Sequence, residues 1–412
     1  MTARPRLPIT TFDLPAAEFR RGYRSAVYFN RMVKIIREDE FIHNNGLMQV
    51  FQKNHATLCG IDEAIAILKV GGGHWKSEDK AHKLFDDYMD AKLKARAEPL
   101  NPEHAQSVVY YRNHLEQMWV SSFGEAFHVS ALYDGDQIHP MEPVMHIEGD
   151  VSEFGHLESV YLGVLARATK VATNTAKVVA AAQGKEVLFF ADRFDRWGNQ
   201  GADGYAARTG GASGVATDAM SDWWGGTALG TMPHALIALS NGNIKRACRG
   251  FVNAYPNVPL IALVDFNNSC VIDSLHAADE FGDRLYGVRL DTSENMVDES
   301  IGSHLDRQYY YGTSYKPRTM GDFKPTGVNP ALVENVRAAL DYRGYSHVKI
   351  YVSGGFDPDK INMFEDLSLP TDGYAVGSSL LQGSNDYTAD IVNPLAKKGR
   401  WFRENPRLEV VA

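Results

Sequence analysis

The sequence predicts an α/β protein whose chemistry sits on a parallel barrel, preceded by a separate α/β layer. Three observations lead there. From about residue 186, short apolar runs alternate with amphipathic stretches, the pattern of parallel strands covered by helices. Nearly every run ends on polar or glycine residues: Asp192 and Arg193, Thr231 before His234, Asp265, Arg289 and Asp291, Ser353 to Gly355, Gly377 to Ser379. Barrels gather chemistry at the carboxyl ends of several strands, whereas an open doubly wound sheet concentrates it at one switch point. No Gly-x-Gly-x-x-Gly follows a strand, so a dinucleotide fold has no support.

Residues 1 to about 150 read as the separate layer, with residues 386–412 expected to complete it. In it, "GYRSAVYFNRMVKIIRED" and "GIDEAIAILKV" are amphipathic helices, and "HPMEPVMHIEGD" is strand-like through alternating Met145 and Ile147. The barrel spans 151–385. It begins with a long helix, "HLESVYLGVLARATKVATNTAKVVAAAQG", whose apolar positions 157, 160, 161, 164, 165 and 168 share a face and which Gly184 ends. The strands expected next are "EVLFFADR", "GTALGT", "PLIALVDF", "LYGVRLD", "VKIYVSGG" and "GYAVGSS". Between them, "NSCVIDSLHAADEF" places 271, 272, 275 and 278 on one helical face. "NPALVENVRAAL" opens with Asn329 as N-cap and Pro330 behind it, then aligns Leu332, Val333, Val336 and Leu340; "DPDKINMF" repeats the device with Asp357 and Pro358. The stretch 309–328 is an aromatic and basic insertion whose Lys316, Arg318 and Lys324 suit either phosphate or a solvated loop.

Bulk properties narrow the functional classes. Of 412 residues, 44% are hydrophobic and 23% charged, the make-up of an ordinary globular protein. A net charge of -9 without a basic stripe argues against nucleic acid as a partner. The cysteines Cys59, Cys248 and Cys270 have no metal-type spacing, and the histidines and cysteines form no clustered set. No apolar run reaches membrane length, and the start lacks the apolar region of a secretory signal, so the cytoplasm is the expected location.

Within the barrel, "GTMPHALIAL" sets Thr231 as N-cap and Pro233 in the first turn of a helix. His234 then lies among free backbone N–H groups at the positive dipole end, where an anion is favoured and a protonated imidazole is not. The stretch suits a neutral histidine beside phosphate or one that becomes phosphorylated. A histidine simply packed at a helix start is the plainer reading of the segment alone. Asp265 ends a strand where it can orient an imidazole such as His234. Arg289 and Asp291, on alternate positions, suit a phosphate and either ribose hydroxyls or Mg²⁺; an ion pair at the barrel rim fits them as well. The turns at Ser353, Gly354 and Gly355 and at Gly377 and Ser378 let backbone N–H groups approach a phosphate. Phe190 and Arg193 can sandwich a flat anionic ring, although Phe190 by type is a core residue.

Taken in order and spacing, "GTMPHALI", "GVRLDT", "VKIYVSGGFD" and "GYAVGSSL" resemble the nicotinate phosphoribosyltransferase family, type II phosphoribosyltransferases, and most of all its short archaeal-type members. "VYFNRMVKII", "EPVMHIEGD" and "LESVYLGVLARATKVAT" extend the resemblance over roughly residues 23–385. It implies an α/β sandwich domain with an incomplete α/β (TIM-like) barrel. The implied reaction moves phosphoribosyl from phosphoribosyl pyrophosphate to nicotinate, with Mg²⁺-bound pyrophosphate leaving and ATP hydrolysed as co-substrate through a phosphohistidine at His234. By the same resemblance Phe190 and Arg193 hold nicotinate, Arg289 and Asp291 the ribose and its phosphates, and Gly354, Gly355, Gly377 and Ser378 the 5′-phosphate. Tyr28 is implied to come from the second subunit of a homodimer, and Ser213 to face the acceptor's carboxylate. The chain departs from the family pattern at Ala26, at Phe194 and at Phe266 to Asn268. Transfer to nicotinamide or quinolinate, and a non-catalytic barrel that binds phosphorylated metabolites, stand as alternatives.

Overall fold

The structure, a computed structural model, describes residues 4–302 and 324–411. Lys316, Arg318 and most of the 309–328 insertion lie outside the described residues. The chain divides into two compact units, Met1–Lys170 with Ser384–Ala412, and Val171–Gly383. No helix among the described residues is long and apolar enough to cross a membrane.

The first unit is built on a five-stranded antiparallel sheet in the order Tyr387–Asn393, Asn45–Gln52, Pro143–Asp150, Phe127–Ala131, Glu409–Val410. The C-terminal segment therefore supplies both edge strands. Met145 and Ile147 are fully buried, as their alternation predicts, and pack with Met48, Val50, the helix Ile61–Gly71 and the start of the long helix Glu158–Ala181. On that helix Tyr161, Leu165 and Ala168 are buried and Val160 and Val164 half-buried, with Leu157 buried in the turn before it. A short antiparallel ribbon, Ala56–Thr57 with Gln137–Ile138, stands beside the main sheet.

The second unit carries a curled six-stranded parallel sheet, an incomplete α/β barrel. Its order is Leu260–Leu263, Leu285–Leu290, Lys349–Val352, Gly373–Val376, Glu186–Phe189, Gly214–Val215. The capped helices form as the sequence predicts. Asn329 accepts from the Leu332 N–H at 3.1 Å and Asp357 from the Lys360 N–H at 2.8 Å, each with a proline next in the chain. Leu332, Val333, Val336 and Leu340 are all buried.

Three expectations are corrected. "GTALGT" is not a strand. It makes one sheet-like bond, from the Leu229 N–H to the Val215 carbonyl at 2.8 Å, and its glycines lose too much backbone freedom, with too little side chain to pack, for a ladder to form. Thr231 is not an N-cap: the helix is His234–Leu239, Pro233 holds the cap position with extended ψ of 157°, and no side chain caps it. Finally, the helix Cys270–Phe281 buries Val271 and Ala278 and half-buries Leu275 as expected, but its buried face extends over Asp273 and Ser274 and leaves Ile272 exposed. The Asn267 side-chain amide donates to Asp273 at 2.9 Å and satisfies it inside, which apolar periodicity cannot reveal.

Two results are expected from this packing. In the helix Gln200–Thr209, a Cβ on Gly204 would lie 2.1 Å from the Met220 carbonyl oxygen and 2.6 Å from its Cα. Backbone cannot swing aside, so Gly204→Ala lowers stability by about 2–3 kcal/mol in urea unfolding. His156 is buried, its Nε2–H donates to the Gly71 carbonyl at 3.1 Å, and burial lowers its pKa to about 4. The unfolded chain binds that proton more readily, so this contribution to stability is complete above the ordinary imidazole pKa. It is lost as pH falls toward 4, by roughly 3 kcal/mol. His156→Gln should flatten that part of the stability–pH curve; an unchanged slope contradicts the assignment.

Candidate active site

The parallel strands deliver their loops to one cleft of about 390 Å³ in the second unit. Phe190 and Arg193 enter after Glu186–Phe189, Arg289 and Asp291 from Leu285–Leu290, Ser353 to Gly355 after Lys349–Val352, and Gly377 and Ser378 after Gly373–Val376. His234 enters from the helix start that follows the glycine-rich segment. Phe190 is half-buried, packing against buried Leu188, Tyr351 and Ala375 while lining the cleft, and its N–H continues the sheet by donating to the Val376 carbonyl at 2.8 Å.

His234 is the first residue of its helix, and its side chain is 44% exposed. Its Nε2 lies 2.8 Å from Oδ2 of Asp265, whose side chain is 7% exposed. Burial pushes the Asp265 carboxyl above the usual carboxylate range, and the bond from His234 opposes the shift. Asp265 Oδ1 is buried without a partner. With the carboxylate accepting from Nε2–H, the tautomer is set and Nδ1 is the nitrogen with a lone pair to offer. Asp265 itself does not line the cleft; it acts through His234.

Arg289, Asp291 and Ser353 form a closed set. Arg289 Nη1 reaches Asp291 Oδ2 at 3.3 Å and Ser353 Oγ at 3.2 Å, while the Ser353 hydroxyl donates to Asp291 Oδ1 at 2.7 Å. Both readings of the pair hold together: it is an ion pair, and it faces the cleft. Arg289 Nε is buried without a partner and keeps a donor unspent.

The glycine turns differ in what they need. Gly354 and Gly355 have φ of 85° and 66°, a region costly for any residue with a Cβ. A Cβ on Gly355 would stand 1.9 Å from Glu294 Oε1. Gly377 has ordinary φ, but a Cβ there would meet the Phe194 ring at 2.5 Å and the Phe190 carbonyl at 3.0 Å. The Ser379 hydroxyl donates to the Phe356 carbonyl at 2.8 Å and ties the two turns together.

Three predicted residues lie elsewhere. Thr231 is outside the cleft lining, with its hydroxyl turned to the Met232 carbonyl at 3.4 Å. Ser213 also lies outside it: its N–H donates to the Val187 carbonyl at 2.8 Å and its Oγ accepts from the Val187 N–H at 3.3 Å. That is the amino end of the strand, opposite to the end that opens on the cleft. Tyr28 is 64% exposed on the helix Val27–Glu38 of the first unit. Two residues that sequence reasoning missed also belong to the cleft region. Lys360 donates from Nζ to the Gly354 carbonyl at 3.3 Å and lies 4.3 Å from the Phe356 ring centre. Burial lowers its pKa. Its place three residues after the Asp357 cap, hence on the turn facing back to the loop, was the available signal. Phe194, in sequence only a departure from the family pattern, lines the cleft beside Gly377. Among the described residues no group of three or more His, Cys, Asp or Glu is placed to hold a metal ion.

Comparison with known proteins accords with this geometry. A family model described as quinolinate phosphoribosyl transferase, N-terminal domain, matches residues 116–169. The nicotinate phosphoribosyltransferase pncB2 of Mycobacterium tuberculosis is 26% identical over 283 residues, 67% of this chain and 53% of that protein. Its pncB1 counterpart is 26% identical over 272 residues, 64% of this chain and 52% of that protein. The chain thus spans about half the length of the curated relatives it matches. Among solved structures, nicotinate-nucleotide pyrophosphorylase from Pyrococcus furiosus superposes with a TM-score of 0.69 at 27% identity, covering 97% of this chain and 85% of that one. Human nicotinic acid phosphoribosyltransferase, at TM-score 0.58 and 13% identity over 91% of this chain and 76% of that one, shares the fold.

The glycine geometry generates a test. Gly355→Ala should cost about 1–2 kcal/mol of stability through its left-handed backbone, and should weaken protection of the chain by ribose 5-phosphate in a thermal melt. Undiminished protection would mean the 354–355 turn holds no phosphate.

Proposed function

The chain belongs to the nicotinate phosphoribosyltransferase family, and from that premise we propose that it transfers phosphoribosyl from phosphoribosyl pyrophosphate to nicotinate, giving nicotinate mononucleotide and pyrophosphate. One observation carries the reading. A single cleft unites an imidazole backed by a buried carboxylate, an arginine with an unspent donor and two glycine turns suited to oxyanions.

The reaction asks little of acid–base catalysis. The pyridine nitrogen supplies the electron pair that forms the bond to C1, and the bond from C1 to the pyrophosphate oxygen breaks with its electrons leaving on pyrophosphate. The protein's part is alignment and electrostatic support of a C1 that passes through oxocarbenium character. Phe190 offers its face to the ring, and Arg193, exposed at the mouth, its charge to the carboxylate. Arg289 and Asp291 take the ribose and its phosphates, and Gly354, Gly355, Gly377 and Ser378 the 5′-phosphate. Asp291, which faces the cleft, is the carboxylate that would hold Mg²⁺ against the pyrophosphate, and the ion would supply neutralisation of the leaving group's charge.

ATP coupling is part of the proposal. Nδ1 of His234 attacks the γ-phosphorus, the bond to the ADP oxygen breaks, and water later releases phosphate from the nitrogen. The Asp265 carboxylate offsets the positive charge that the imidazole gains. Tyr28, exposed on its helix, would complete the site of a second copy in a homodimer.

Quinolinate is the second acceptor to consider, because residues 116–169 match the quinolinate enzyme's N-terminal domain. Initial rates of pyrophosphate release with nicotinate, nicotinamide and quinolinate decide between them, and absence of turnover with nicotinate ends the main reading. With γ-labelled ATP, the wild type should retain label on protein and His234→Ala none. Label kept by that variant excludes His234 as the phosphoryl acceptor.

A further inference from the structure

The ribbon of the first unit pairs Ala56 with Ile138 and Thr57 with Gln137. Carried one residue further, the same antiparallel register sets His55 opposite His139. Directly opposed residues of such a ladder hold their side chains about 5 Å apart at Cβ, close enough to share one small volume. The two Nδ1 atoms are 3.2 Å apart, the ring centroids 5.0 Å, and the planes cross at 86°. Both histidines are exposed, and the reaction proposed above uses neither.

At this distance the two imidazoles share either one N–H···N hydrogen bond or an ion bonded to both nitrogens. A bond straight along both ring axes would put the centroids roughly 5.5 Å apart, since each lies about 1.1–1.2 Å behind its nitrogen. The observed 5.0 Å is shorter, so the two ring axes converge to one side, an arrangement open to an ion. A metal ion bonded to both nitrogens at about 2.05 Å, with a bond angle near about 103°, gives N···N of about 3.2 Å and centroids about 5.0 Å apart. We propose that His55 and His139 form a two-histidine site for a divalent transition-metal ion of the imidazole-preferring class, Cu²⁺, Ni²⁺ or Zn²⁺.

The surroundings hold the pair in this posture. Leu58 N–H donates to the Asp136 carbonyl and Gly135 N–H to the Leu58 carbonyl, each at 2.8 Å, and Gln137 Nε2 donates to Thr57 Oγ1 at 3.0 Å. The His139 N–H is held by Glu142 Oε2 at 2.9 Å, while Oε1 of that carboxylate accepts from Asn405 and Arg407. Glu142 is thereby committed elsewhere, and water fills the remaining positions of the ion. A ligand pair fixed before binding loses little freedom when the ion arrives.

The test uses the full chain and Cu²⁺ alone as probe. Calorimetric titration should show one saturable site per chain, with an electron paramagnetic resonance signal split by two imidazole nitrogens. His55→Ala and His139→Ala should each lose that site while keeping the far-UV spectrum and melting temperature, since both side chains are exposed. Zn²⁺ should compete with Cu²⁺ and raise the melting temperature of the wild type only. Absence of a saturable site in the wild type overturns the proposal, as does a two-nitrogen signal that survives either substitution.

Discussion

Parallel register is the constraint on which the rest depends. Leu263 lies beside Arg289, Arg289 beside Tyr351, Val352 beside Tyr374, and Val376 beside Phe189. Strands so aligned all end at one rim, so loops far apart in sequence emerge within reach of one another. The sheet bonds extend just past the strands, through Val264 N–H to the Arg289 carbonyl, Ser353 N–H to the Leu290 carbonyl and Phe190 N–H to the Val376 carbonyl. Phe190, Arg289 and Ser353 therefore project from backbone that the sheet still holds, which is the rigidity that transition-state positioning demands.

Against that rigid rim, one buried charge is left poorly satisfied. Asp265 accepts from His234 through one oxygen, while the other finds no partner. An apolar environment favours the protonated acid, so the carboxylate gains most when its imidazole partner becomes positive. Were His234 to take the phosphoryl group proposed for it, the imidazole would become positive and the burden on Asp265 would fall. Arg289 shows the complementary state, a cation with one buried donor waiting for an acceptor. Both are the incomplete networks expected where a ligand finishes the hydrogen bonding.

Much of this was legible in the sequence, for identifiable reasons. Strands buried on both faces are continuous apolar runs, and those at 186, 260, 285, 349 and 373 stand where their runs are. Caps such as Asn329-Pro330 and Asp357-Pro358 announce helices because the side chain and the missing N–H both serve the first turn. What could not be read was pairing across sequence distance. Thr231 has the right chemistry for a cap, but the chain turns into helix only after Pro233. Ser213 sits close in sequence to strand residues and at the wrong end of the strand. Lys360 and Phe194 take their roles from loops they meet only in the folded chain, and the His55–His139 pair exists only because two short segments align.

The edge strands of the first unit's sheet, Tyr387–Asn393 and Glu409–Val410, are encoded after the whole of the second unit. While the chain is still leaving the ribosome, the three inner strands must wait with both flanks bare, for as long as it takes to translate the second unit. Bare flanks invite the wrong neighbour, so the order of the message gives chaperones a defined interval and a defined surface to guard.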